Sequence, residues 1–133
     1  MTHELKITRE SIAAATDIKS FDTAKDVSET FCAAKWYMVT MHLAQGETHS
    51  CYHPWTHKVP LEEIQANPGA IHNTIYKKEQ RKIMLKGERP QECSYCWKME
   101  DLGNISDRVI RNDERWSKHD LAIHKNMTGV EDV

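Results

Sequence analysis

The sequence predicts a small α+β domain, a β-hairpin followed by three to four short helices gathered around four cysteines. Three observations carry that expectation. A stretch of alternating residues is broken by a glycine; a series of short helical segments follows, bounded by caps, prolines and glycines; and Cys32, Cys51, Cys93 and Cys96 are the complete cysteine complement of the chain.

The hairpin comes first. Between Trp36 and Leu43, the residues Tyr37, Val39, Met41 and Leu43 alternate with Thr40 and His42, the two-residue period of a half-buried strand. Gln45-Gly46-Glu47 interrupts the run and Thr48 to Tyr52 resumes it. Gly46 belongs at the turn because glycine adopts positive φ at the least cost. Cys32 and Cys51 then lie near the open ends of the hairpin, side by side.

Helices come next. Pro60 suits the first turn of a helix over Leu61 to Gln65, and Asn67-Pro68-Gly69 stops it. Asn73 is the expected cap of the next helix, Thr74 to Lys86, with Tyr76, Ile83 and Met84 inward and Gly87 as a left-handed stop. The Glu62-Glu63 pair and the run from Lys77-Lys78 to Lys82 read as solvated faces. After the turn Glu88-Arg89-Pro90, a helix from Cys93 to Leu102 ends at Gly103. Both cysteines of Cys93-Ser94-Tyr95-Cys96 fall in its first turn, where free amides and the positive end of the helix dipole favour thiolates. Ser106 caps a last helix, Asp107 to Trp116. The resulting division is a weakly helical N-terminal arm over 1–30, the domain over 31–116, and a linker-like tail over 117–133.

Composition bounds the possibilities. The chain has 133 residues, enough for one domain, with 39% hydrophobic and 29% charged residues and a mean hydropathy of -0.70. A core of that kind is modest, and a metal or a partner would help hold the chain together. The net charge of -2 has its signs interspersed, so the basic footprint of a nucleic-acid binder is missing. No stretch approaches the ~20 apolar residues of a membrane span, and the first residues do not form a signal peptide. A cytoplasmic chain is therefore expected, in which paired cysteines serve as metal or redox sites rather than disulfides.

Four thiols form one set of soft ligands, which on ligand count suits tetrahedral Zn2+ and an iron-sulfur cluster equally. The bland alternative packs them as small apolar groups. His49, His53 and His57 flank Cys51 at four-residue intervals. On a helix they would make a mixed zinc site with Cys51, but Pro54 and the strand-like approach argue against a helix there. His49 and His53 are expected instead at the surface or beside the ligands, able to donate toward cluster sulfurs. Trp36, Trp55, Trp97 and Trp116 read as the large apolar pieces of a small core, with Trp36 and Trp97 the candidates for screening a centre from water. The sequence holds no Ser-His-Asp arrangement, phosphate loop or nucleophile-base pair, and no βαβ context around Cys-x-x-Cys, so it names no catalytic residue.

A family resemblance sharpens the metal reading. Cys32, thirteen residues, Gly46, four residues and Cys51 resemble the opening of the SPASM and twitch domains, the auxiliary iron-sulfur domains of radical S-adenosylmethionine enzymes, which also carry a later Cys-x-x-Cys. The chain is similar in particular to the N-terminal region of phage-type, twitch-domain-containing radical SAM proteins. Phe31-Cys32 and Trp36 open it; Tyr76-Lys77-Lys78, Arg81 and Met84 to Pro90 lead into Cys93, Cys96, Trp97, Glu100 and Gly103; and Ser106, Arg108 and Asn112 continue it. Two departures are Lys35, where such domains often have proline and which reads as cosmetic, and a single Cys51 before Tyr52 in place of a doubled cysteine. The Cys-x-x-x-Cys-x-x-Cys triplet of the catalytic core does not occur in the chain.

The resemblance implies a 4Fe-4S cluster held by Cys32, Cys51, Cys93 and Cys96. That cluster would be auxiliary to a radical SAM core on another domain or polypeptide, and would serve electron transfer or the positioning of a peptide or small-molecule substrate. S-adenosylmethionine would belong to that separate core. The alternative is a structural Zn2+ module for protein interaction, without redox function.

Overall fold

Gly46 turns the hairpin with a φ of 65°, and the two strands on either side pair from Val39 opposite Ser50 to His42 opposite Glu47. The computed structural model describes residues 24–123; the first 23 residues of the expected arm and the tail beyond 123 lie outside them. Within that range we number the elements α1 (Ala24–Val27), α2 (Ala34–Tyr37), β1 (Val39–His42), β2 (Glu47–Ser50), β3 (His57–Lys58), α3 (Leu61–Ala66), α4 (Ile75–Leu85), α5 (Ser94–Asp101), α6 (Asp107–Asn112) and α7 (Arg115–Ile123). Single 3-10 turns cover Pro68–Ile71 and Gln91–Cys93. The strands form one antiparallel sheet in the order β1-β2-β3, so the fold is α+β as the sequence predicts.

The boundaries differ from expectation in instructive places. Trp36 and Tyr37 belong to a helical turn rather than to the first strand, their amides bonding the Ala33 carbonyl at 2.9 and 3.1 Å. The segment from Thr30 to Trp36 is buried throughout, and a fully buried run carries no periodicity to separate helix from strand. The strand β3 adds Glu47 opposite Lys58 and Thr48 opposite His57; two residues are too few for a period. The expected helix over 107–116 ends at Asn112, and α7 then occupies residues expected to be linker, with Ser117 and Leu121 buried four residues apart. Serine on an inward face gives no apolar signal.

The helix α4 ties β2, α2 and the described end of the arm together. Thr74, not Asn73, caps it: its hydroxyl accepts from the Lys77 amide at 3.2 Å. Gly87, at φ 79°, ends it, with the Glu88 amide bonding the Ile83 carbonyl at 3.1 Å and the Gly87 amide the Met84 carbonyl at 3.0 Å, a left-handed stop of the expected kind. Its inward stripe is Lys77, Arg81 and Met84, all buried, whereas Tyr76 is exposed. The lysine run is therefore not a uniformly solvated face. Burial of the two cations is possible because their heads find acceptors: Lys77 Nζ donates to Thr48 Oγ1 at 2.8 Å and to the His72 carbonyl at 3.0 Å, and Arg81 Nε to the Lys35 carbonyl at 2.9 Å. The Met84 carbonyl holds the arm, accepting from Ser28 Oγ at 2.5 Å and Thr30 Oγ1 at 3.1 Å.

The core is one cluster of Phe31 to Ala34, Trp36, Met84, Cys93, Trp97 and Leu121. Trp36 and Trp97 are thus core residues as expected. Trp55 and Trp116, 90% and 72% exposed, are not; neither sits on an inward helix or sheet face. No helix among the described residues is long and apolar enough to cross a membrane.

A pH dependence arises from His57, whose Nε2 lies 2.7 Å from Thr74 Oγ1. Burial, and then the positive charge of Lys77 and Lys35, pushes its pKa down from 6.5 to about 4. The folded chain keeps this ring neutral while the unfolded chain protonates it near 6.5, so between those values the unfolded state binds the extra proton and stability falls as pH is lowered. Urea unfolding at pH 7 and pH 5 should show this loss, and His57→Gln should flatten it; an unchanged slope in the variant would place the pH dependence elsewhere.

Candidate metal centre

All four cysteines line one cavity, delivered by three separate stretches of chain. Cys32 precedes α2, Cys51 follows β2, Cys93 stands at the N-cap of α5, and Cys96 lies in its first turn. None is in a disulfide; Cys32, Cys93 and Cys96 are buried and Cys51 partly so. The stretch around Cys32 is held from α6. The Phe31 carbonyl accepts from Arg108 Nη1 and from Asn112 Nδ2, each at 2.8 Å, and the Ala33 amide donates to Asn112 Oδ1 at 2.8 Å.

Arg108 is gripped in turn. Its Nε and Nη2 donate to the two oxygens of Glu100 at 2.9 and 2.5 Å, and Ser106 Oγ donates to Glu100 Oε2 at 2.8 Å. Burial pushes the Glu100 carboxyl up, but these donors prevail and hold it below its ordinary value. The guanidinium centres of Arg108 and Arg89 lie 5.2 and 5.1 Å from the Trp97 ring, and Trp97 Nε1 donates to the Pro90 carbonyl at 2.8 Å, which fixes the approach to Cys93. Glu100, Ser106, Arg108 and Asn112 are thus the residues that tie α5 and α6 to the first cysteine.

Cys32, Cys93 and Cys96 are disfavoured as free thiolates. Burial and then the neighbouring Cys93 push Cys32 up to about 12. Burial likewise pushes Cys93 up to about 11 and raises Cys96. The expected thiolate-favouring pull of the helix start is overridden, since desolvation in a closed cavity is the larger effect. The Ala34 amide, the Lys35 ammonium and the Arg108 amide act in the opposite direction on Cys32, Cys93 and Cys96 without reversing it.

Other donors near the cavity are engaged elsewhere. His53 Nε2 bonds Asp107, whose other partner is the Tyr52 hydroxyl at 2.7 Å, and the His53 ring stacks on Tyr95 with centroids 4.1 Å apart. His49 bonds the main-chain carbonyl of Cys51 through Nδ1, and its Nε2 lies 3.1 Å from that of His42. His57 turns to Thr74. The three histidines therefore point to three different partners and form no shared site with Cys51. His53 lines the cavity while His49 touches only the backbone of a cysteine. With side chains as they stand, no group of three or more His, Cys, Asp or Glu among the described residues is placed to hold a metal ion.

The residue sequence reasoning missed is Lys35. It lines the cavity, is 2% exposed, and its ammonium bonds Glu92 and, at 3.3 Å, Ser50 Oγ. Its place is not cosmetic. A charged residue three positions after a buried cysteine, on a helical turn between Ala34 and Trp36, was the available signal. Arg108 and Arg111 also line the cavity, so its wall is cationic.

Fold and site together define a small α+β protein with four cysteines around one cation-lined cavity. Comparison with models of protein families, with curated proteins and with solved structures yields no match.

Arg108→Lys keeps the charge but loses the fork that joins Glu100 to the Phe31 carbonyl. Hydrogen bonds to charged groups contribute ~1.5–3 kcal/mol each, and a loss of about 2–3 kcal/mol in urea unfolding is expected. A loss within the ~0.5 kcal/mol of ordinary surface changes would show that the clamp is dispensable.

Proposed function

We propose that Cys32, Cys51, Cys93 and Cys96 bind a 4Fe-4S cluster, and that the chain is an auxiliary cluster domain acting with a radical SAM core carried on another domain or polypeptide. The observation that carries this is the convergence of all four cysteines, from three stretches of chain, on one cavity whose wall also presents Lys35, Arg108 and Arg111. The donor set fits: four soft thiols, with the neighbouring imidazole and carboxylate bonded to one another. A cluster with four thiolates is an anion, and a wall carrying cationic side chains suits such an anion.

The cluster, when bound, supplies one-electron redox chemistry. The chain's own residues do the rest. Asn112 and Arg108 hold the Cys32 segment, Trp97 anchors the helix start that carries Cys93 and Cys96, and burial shields Cys32, Cys93 and Cys96 from water. With every iron held by a cysteine, electron transfer or support of the fold is favoured over direct substrate contact. Buried thiols that keep their protons suit a reducing, cytoplasmic setting and release those protons on metal binding.

A structural zinc site is the second reading, supported by the same four thiols. It requires all four sulfurs within ~2.3 Å of one point, a tighter convergence than a cluster, in which each thiolate reaches a different iron.

Anaerobic purification followed by an absorption spectrum and iron, sulfide and zinc analysis tests the proposal. A brown protein absorbing near ~400 nm with about four irons per chain is expected for four cysteines on a 4Fe-4S cluster, and Cys93→Ala or Cys96→Ala should strip the iron. Full metal content in either variant would refute the ligand set. A colourless protein with about one zinc per chain would establish the structural module instead.

A further inference from the structure

We infer that Lys35 is a positioning residue that raises the reduction potential of the centre held by the four cysteines, its ammonium lying in the cavity wall between the ligand-bearing segments. The inference rests on the cluster reading and assigns a function to a side chain outside the ligand set. Lys35 sits three residues after Cys32. Its ammonium bonds Ser50, the residue before Cys51, and Glu92, the residue before Cys93, and the side chain lines the cavity that all four cysteines share. One head group therefore touches two ligand-bearing segments and is covalently linked to the third.

Its position is fixed at both ends. The Lys35 amide bonds the Cys32 carbonyl at 3.0 Å and its carbonyl accepts from the buried Arg81, while the side chain is 2% exposed. A buried ammonium is costly unless paired, and pairing alone would be satisfied by Glu92 at any distance from the cysteines. Instead the side chain is held in the wall of the cysteine-lined cavity. When the cluster is reduced, one electron enters, no bond forms or breaks and no proton moves, so the anion gains one negative charge. A fixed positive charge in the wall beside the ligands, where partial burial weakens solvent screening, favours that reduced state. The Glu92 carboxylate opposes it from behind the ammonium. Among the influences on Cys93, the charge of Lys35 ranks ahead of that of Glu92.

The test is a potentiometric titration of the anaerobically reconstituted full chain with dithionite and mediators, followed by electron paramagnetic resonance, for wild type, Lys35→Gln, Lys35→Arg and Lys35→Gln with Glu92→Gln. Lys35→Gln should keep its iron and lower the reduction equilibrium constant about tenfold, ~59 mV for a one-electron couple. Lys35→Arg should recover most of that shift. The double variant leaves no unpaired buried charge, so it reports even if the single variant fails to fold, and its potential should still fall below wild type. An iron-loaded Lys35→Gln at the wild-type potential, a Lys35→Arg that falls as far as Lys35→Gln, or a double variant equal to wild type would each overturn the inference while leaving the cluster intact. Wild-type protein that takes up no iron would remove the cluster reading and this inference with it.

Discussion

The structure depends on the closure made when Asn112 and Arg108 bind the main chain on either side of Cys32. Asn112 uses both ends of its amide, accepting from Ala33 and donating to Phe31, so it recognises backbone rather than any side chain. The contact joins segments nearly eighty residues apart in the chain. Closing so long a loop costs only slightly more entropy than closing one half as long, but the cost must be met by interactions that a small core does not provide in abundance. Charged and amide donors on one carbonyl are a compact way to meet it. Arg108 also lines the cavity that Cys96 shares with the other three cysteines, so the clamp that holds the first cysteine also orders the surroundings of the last.

Three cationic side chains, Lys35, Lys77 and Arg81, are buried in this small domain, and they solve the same problem differently. Their aliphatic stems fill core volume that the limited apolar content leaves short. The heads then need acceptors. Lys77 has a hydroxyl and a carbonyl, both neutral, and burial together with the charge of Arg81 pushes its pKa down to about 8. Lys35 is buried as deeply, yet Cys93 and Glu92 outweigh desolvation and its pKa goes up. The contrast separates a lysine tolerated for packing from one whose charge is stabilised by its surroundings.

Much of this was legible in the residues, for identifiable reasons. The stops at Gly46, Gly87 and Gly103 could be read because each has a positive φ, which glycine alone adopts freely. The four cysteines could be assigned to one locus because a hairpin and a helix start bring distant positions together. What escaped was whatever the side chain's usual preference conceals. Lys77 and Arg81 fall four residues apart on an inward stripe completed by Met84, but a lysine or arginine is read as solvated until its acceptor is seen. Helix α7 turns Ser117 and Leu121 inward and Trp116 outward, the reverse of what hydropathy suggests for the serine and the tryptophan. The pairing of His42 with His49 depends on strand register, which residue spacing does not supply.

The raised thiol pKa values bear on how such a centre would load. A cavity that keeps Cys32 and Cys93 protonated to about 12 and about 11 resists thiolate charge as long as nothing neutralises it, although Lys35, Arg108 and Arg111 are already in its wall. The cations are individually committed: Lys35 to Glu92, Arg108 to Glu100 and Arg111 to Glu114. In each pair the cation lines the cavity and its carboxylate partner does not, so the wall presents the positive end of each pair, partly offset from behind. On the cluster reading, metal supplies the missing positive charge, the thiols lose their protons to solvent, and three segments that otherwise depend on the Asn112 and Arg108 clamp become linked through one centre. Binding free energy at such a site is then folding free energy, which is how a chain with so few apolar residues can hold its helices around a cavity rather than around a larger core.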